Sequence, residues 1–404
     1  MAIALLLVSC SGENLPVKVL INLAGDFMPK TKWDTILLVF LVLVACSKSD
    51  SMQSDNTTDL VTAKRVYGQS GIFTSGSQNT NGLSANSLCS ARGVTVASDG
   101  IYVADGCNNR VLYFPGTSTT ATRVYGQLGN FNTSTANNGG ISANSLNGPL
   151  GVAVDSGGVY IVDTNNNRVL YYSGTSTTAT RVYGQGGSFT TATANNGGLS
   201  ANSINNPFGI AVDSGGVYVA DFSNSRVLYF AGTSTTATRV YGQGGNFASA
   251  TYNNGGVSAN SIAGPAALAV DASGLYIADS GNHRVLYFVG TSTTATRVYG
   301  QTGSFTTNSA NQGGISADSL NGPFGITLNG SGVFISDRSN NRILFYSSNS
   351  TSASRVYGQG NSFASTTANK GGINASSLND PWGITADSTG LYIADQGNSR
   401  VLFY

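Results

Sequence analysis

Six times along the chain an aspartate is followed five residues later by an arginine: Asp105 and Arg110, Asp163 and Arg168, Asp221 and Arg226, Asp279 and Arg284, Asp337 and Arg342, Asp395 and Arg400. A carboxylate and a guanidinium at that spacing can form a charge-assisted pair, and a carboxylate can also ligate a cation or move a proton. The other residues with reactive chemistry are few. His283 is the one histidine, Glu13 the one glutamate, and the four cysteines stand at 10, 46, 89 and 107. Six calcium or catalytic sites would each need further ligands, and no unit supplies them. The pairs therefore read as structural: each Asp ends a strand, caps the backbone N–H groups of the tight turn that follows, and pairs with the Arg across a hairpin. No metal or cofactor is expected.

The elements that carry these pairs repeat. GTSTTATRVYGQ occurs at 116–127, 174–185, 232–243 and 290–301, and the RVYGQ arginines fall at 65, 123, 181, 239, 297 and 355, a constant step of 123 − 65 = 58 residues. A period of this kind marks an array of one supersecondary unit. Each unit holds four Val-, Ile- and Tyr-rich segments between Gly-, Asn-, Ser- and Thr-rich turns, as in GVAVD (151–155), GVYIVD (158–163), RVLYY (168–172) and TRVYGQ (180–185). That pattern predicts a four-stranded antiparallel meander. Inner strands are expected at 93–97, 151–155, 209–213, 267–271, 325–329 and 383–387. An open solenoid would need distinct capping repeats, and the chain shows none. Its ends instead complement each other. The last unit stops at RVLFY (400–404), one strand short, and TAKRVYGQ (62–69) is a fourth strand with no unit of its own. The expected fold class is all-β: a six-bladed β-propeller of 58-residue repeats, residues 62–404, closed by strand 62–69 completing blade six.

Segments such as GLYIADSGNHRVLYF (274–288) and GVYVADFSNSRVLYF (216–230), the latter preceded by NPFGIAVD (206–213), resemble NHL-repeat blades. The resemblance extends over all six units and implies the propeller fold. It says little about activity, since such propellers serve as binding platforms, sensors and a few enzymes. The amidating lyases of that family hold zinc with several histidines, and the related calcium-dependent lactonase propellers use a glutamate ligand. Neither ligand set exists here, and no GxSxG, HExxH or phosphate-binding loop is present. The expectation is a protein without catalytic activity.

Charge excludes another class. Charged residues are 10% of the chain and the net charge is +1. Twelve of the arginines are the repeat residues, spread round a ring, so the basic patch required for nucleic-acid binding is missing. The leader points to a membrane surface. Residues 28–46 give a basic start (Lys30, Lys32), an apolar run over 36–45 and the sequence LVAC, which resembles the lipobox of bacterial lipoproteins. Ten apolar residues are too few to span a bilayer and suit a signal-peptide core; the alternative is an uncleaved anchor. The resemblance implies lipidation of Cys46 and export to the bacterial envelope, at the outer membrane or cell surface; residues 47–61 read as a polar tether, and a monomer is expected. Residues 1–27, with a weaker candidate at Cys10, read as an extension upstream of the true start at Met28.

Cys89 and Cys107 replace asparagines of the next unit (147 − 58 = 89; 165 − 58 = 107), and both flank the same strand pair. A disulfide is expected between them, the alternative being two buried thiols. One further position breaks the symmetry. Just before each inner strand, at the channel mouth, stand Arg92, Leu150, Phe208, Ala266, Phe324 and Trp382. Ring closure makes Trp382 and Arg92 neighbours, with Phe324 beside them and Asp380 two residues before the tryptophan. Aromatic rings, a guanidinium and a carboxylate make a candidate patch for a protein or glycan; the alternative is that the rings only plug the channel. Phe222, His283 and Arg338 vary in turns on the same face and are expected to form an outer rim.

Overall fold

The computed structural model describes residues 60–404, and its strands form six separate four-stranded antiparallel sheets. Blade one comprises Ala91–Ala97, Gly100–Asp105, Arg110–Pro115 and Arg123–Tyr125. The next four blades repeat this order. Blade six consists of Pro381–Ala386, Leu391–Asp395, Arg400–Phe403 and, as its outer strand, Arg65–Tyr67 from the front of the chain. Arg65, Val66 and Tyr67 pair antiparallel with Phe403, Leu402 and Val401. The ring is thus closed by main-chain hydrogen bonds, which removes the edge that blade six would otherwise expose.

Second strands are buried along nearly their whole length, as in Gly100–Asp105 and Gly216–Asp221, because each lies between two neighbouring blades. The apolar core is accordingly divided into layers between blades. One layer joins Ile101, Val103, Leu112 and Phe114 of blade one to Tyr392, Ala394, Val401 and Phe403 of blade six, with Tyr67 among them. Val66, the neighbouring residue, faces the layer between blades five and six. Alternation along the closing strand therefore places one side chain in each layer beside it. The Tyr67 ring meets Phe114 edge-on at 5.3 Å.

Local details depart from the sequence reading. Outer strands are only three residues long. Five inner strands begin earlier than expected, at Ala91, Pro149, Pro265, Pro323 and Pro381, whereas that of blade three begins at Ile210. The early pairs, such as Ala91 with Asp105 and Pro381 with Asp395, are followed by a register shift at each mouth residue. Such a bulge re-aims the side chain it carries. In five blades a glycine follows the mouth residue, blade four having Ala267 instead, and permits close approach of adjacent inner strands: a Cβ on Gly151 would stand 2.7 Å from the Phe208 carbonyl oxygen.

The six Asp–Arg pairs are fully buried, each with Nε to Oδ2 at 2.7 Å. The expected pairing is present, but the aspartates do not cap their own turns, which are short 3-10 helices without side-chain caps. Asp163 Oδ1 instead accepts from the Asn147 N–H at 2.7 Å, and Oδ2 accepts from Asn166 Nδ2 at 2.8 Å. Arg168 donates onward to the carbonyls of Phe189, Ser142 and Ser145 at 2.6, 3.0 and 3.1 Å. The carboxylate thus bonds the long loop through Oδ1 and the turn's Asn166 side chain through Oδ2, not the backbone N–H groups of the turn. Burial pushes the Asp163 carboxyl up, against the pull of Arg168 and of these hydrogen bonds. Each network pins the loop that leads to a mouth residue.

Candidate functional site

The inner strands surround a channel with a cavity of about 290 Å³, lined by Val, Ala, Leu, Ile and Thr along its length and by the six mouth residues at one end. The structure brings the expected patch together. Trp382 stacks on Phe324 with ring centroids 5.3 Å apart and planes 10° from parallel. The Arg92 guanidinium lies 4.5 Å from the Trp382 ring centre, across the junction of blades six and one. Cation–π contacts of this kind contribute on the order of 1 kcal/mol at partly exposed sites.

Arg338 belongs to this patch rather than to an outer rim. Its guanidinium lies 4.5 Å from the Phe324 ring and 5.0 Å from that of Trp382. It also grips Asp380 with two bonds, Nε to Oδ1 at 2.5 Å and Nη2 to Oδ2 at 3.1 Å. Both side chains of this pair are 30% exposed. Asp380 is held by a second contact, its N–H donating to Asn341 Oδ1 at 2.8 Å, with φ at 54°. Three other blades place glycine at this left-handed position, Gly148, Gly264 and Gly322. An aspartate there tolerates a backbone conformation that side chains disfavour.

Arg92 is half-buried and has no carboxylate of its own; its Nε donates weakly to Ser90 Oγ at 3.4 Å. Burial, with the Arg338 charge adding, pushes its guanidinium below the ordinary value, and Asp380 opposes the shift. Space for it comes from Gly106, where a Cβ would stand 3.0 Å from Arg92 Cδ. Trp382 is 7% exposed and its Nε1–H is buried without an acceptor. Ser90 and Gly106 were missed in the sequence, although positions 106, 164, 222, 280, 338 and 396, directly after each paired Asp, vary around the ring as the mouth residues do.

Across the opening, Phe208 stacks on Phe222 at 4.0 Å and 13°. Phe222 thus supports a mouth residue of its own blade. Phe208 reaches to 6.2 Å from Phe324 and 6.3 Å from Trp382, so the three rings converge over the channel.

His283 is not with them. It does not line the channel, and its Nδ1 accepts from the Gly322 N–H at 3.1 Å. In other blades Asn109, Asn167 and Asn341 make the same contact to Gly148, Asn206 and Asp380. The residue expected on the rim is a latch between blades four and five, because a ring nitrogen can replace an amide oxygen as acceptor. Burial pushes its imidazole below the ordinary 6.5.

Cys89 and Cys107 form a disulfide, with Cα atoms 5.5 Å apart. It stands where blade two has the Asn165 Nδ2 to Asn147 Oδ1 bond, and it fixes the loop leading to Arg92. Among the described residues, no cluster of three or more His, Cys, Asp or Glu could hold a metal ion. Cys46, Cys10 and the leader lie outside the described residues.

The family model for the NHL repeat matches residues 88–114, 146–172 and 205–230, each spanning the first three strands of a blade. No curated protein matches the chain. Among solved structures, a protein of unknown function from Bacteroides thetaiotaomicron is 14% identical, covering 86% of this chain and 76% of its own, with a TM-score of 0.54. A streptogramin B lyase is 13% identical over 79% of this chain and 93% of its own, with a TM-score of 0.44. Virginiamycin B lyase from Staphylococcus aureus is 12% identical over 80% and 86%, with a TM-score of 0.43. At 14% identity the likeness to the Bacteroides protein is one of fold alone. By strand order and by repeat, the chain is a six-bladed β-propeller that carries NHL repeats.

Proposed function

We propose that this protein is a binding propeller whose channel-mouth face engages a protein or glycan partner, and that a lipid on Cys46 holds it at the bacterial envelope. The observation that carries the reading is the placement of asymmetry. Twelve-residue segments recur unchanged, yet Arg92, Phe324, Trp382, Arg338 and Asp380 meet in one sector of the mouth. Stacked rings beside partly exposed charges suit recognition. The one carboxylate there is engaged by Arg338, which leaves no free base for catalysis, so the reading is of a binding protein and not an enzyme. Low charge argues against nucleic acid. For the anchor, support comes from LVAC at 43–46 and from a disulfide suited to an oxidising compartment.

Convergence of Phe208, Phe324 and Trp382 favours a second reading, in which the rings only close the channel of a structural envelope component. One experiment separates the two. The chain carrying Cys46→Ser is used as bait in envelope extracts, with and without the double change Trp382→Ala and Arg92→Ala, and melting temperatures are measured in parallel. The binding reading expects the bait to leave the membrane fraction and the double change to abolish capture with the fold intact. Retained capture per folded molecule, together with a large loss of stability, would support the plug.

A further inference from the structure

Two deficits coincide at the junction of blades six and one. Arg92 and Arg338 both lie within 5.0 Å of the Trp382 ring centre, but only one carboxylate accompanies them, and Asp380 gives both its oxygens to Arg338. The cluster therefore carries one uncompensated positive charge, on a half-buried guanidinium. Within the same contact, the Trp382 Nε1–H is buried with no acceptor. A buried donor left unsatisfied is unfavourable, and native structures rarely keep one without a role. An anion with acceptor oxygens corrects both deficits at once. Carboxylate fits the planar guanidinium fork and the aromatic surroundings.

We infer that the mouth of blades six and one recognises a carboxylate presented by a polypeptide, as an acidic side chain or a chain end, with Arg92 as the ion-pair partner and Trp382 Nε1 as a donor. The inference rests on the binding-face reading above and names its ligand chemistry. Two observations favour a peptide over an acidic glycan. Sugars bind aromatic residues by lying on an open ring face, but Trp382 is covered by Phe324 and Arg92, and Phe208 is paired with Phe222. Gln396, at the position equivalent to Arg338 and Phe222, has a buried Oε1 with no donor, which a peptide N–H beside the carboxylate can supply. Asp380 and Arg338 then act as a positioning pair, holding the Phe324 and Trp382 stack against Arg92.

The full chain with Cys46→Ser and Trp33→Phe reports on Trp382 alone, since the sequence has two tryptophans. Its emission is titrated with acetyl-Gly-Glu-Gly-amide, with the Gln counterpart, with that Gln peptide bearing a free C-terminus, and with digalacturonate. We expect a saturable change with the Glu peptide and affinity lower by about tenfold or more for the amidated Gln peptide, as for loss of a charged hydrogen-bonded pair. Arg92→Gln should lose about the same factor, and Arg92→Lys less, at unchanged melting temperature. The free-C-terminus peptide tells whether a chain end serves as well as a side chain. Equal affinity for the Glu and amidated Gln peptides, no saturable change with any peptide, or binding of digalacturonate in their place would overturn the inference. If every probe fails while the double change still abolishes partner capture, the carboxylate inference falls and the binding face stands. Loss of both results rejects the two together.

Discussion

Histidine stands at 283 where the equivalent residues of other blades are Asn109, Asn167, Ser225, Asn341 and Ser399. Because its Nδ1 accepts the Gly322 N–H, only the neutral imidazole makes the latch between blades four and five. Its folded-state pKa lies below the ordinary 6.5, through burial first. The unfolded chain then takes up the proton more readily, so the contribution is complete above the ordinary value and is lost as pH falls through the lowered one. Thermal unfolding between pH 7 and pH 4 should show the wild type losing about 1 kcal/mol more than His283→Asn, the size of one hydrogen bond. Parallel pH profiles would remove the latch role. Sequence alone supported a rim residue here, because an acceptor contact 39 positions away depends on how neighbouring blades meet. Arg92 beside Trp382 was legible from counting round the ring. Arg338 over the same indole was not, since the direction of a turn side chain is set by its neighbours in space.

Elements were legible where their burial is simple. Second strands packed on both sides read as Val- and Ile-rich runs, and the pairing of 62–69 with 400–404 followed from one missing strand and one spare. Bulges at the inner strands and the shortness of the outer ones were hidden, because both arise from the approach of adjacent blades rather than from local propensity. The closing strand carries a direct prediction. Deleting 62–69 removes the main-chain pairing to Val401, Leu402 and Phe403 and the buried side chains of Val66, Tyr67 and Gln69. Burial of each large apolar side chain is worth about 1.5–3 kcal/mol, so denaturant titration should show a loss above roughly 3 kcal/mol. Deletion of 47–58, which removes no strand of the ring, should change stability little. Equal effects from the two deletions would argue against closure by this strand.

For the whole molecule, the repeats build a scaffold of closely similar sectors, and the mouth is one place where the sectors differ. The constant step of 58 residues made six blades countable in the sequence, but the convergence of Phe208 from blade three toward Phe324 and Trp382 appears only once the ring is closed. A plug and a binding patch differ in symmetry. If the rings only close the channel, removing any large mouth residue has a similar effect, mainly on stability. If one sector recognises a partner, effects on binding concentrate there. The most direct test is an alanine scan of Arg92, Leu150, Phe208, Phe324 and Trp382, with partner capture and melting temperature measured for each variant. Capture lost at Arg92, Phe324 and Trp382, and kept at Leu150, is the predicted result; capture kept at all five, or lost only in proportion to stability at every position, would contradict it.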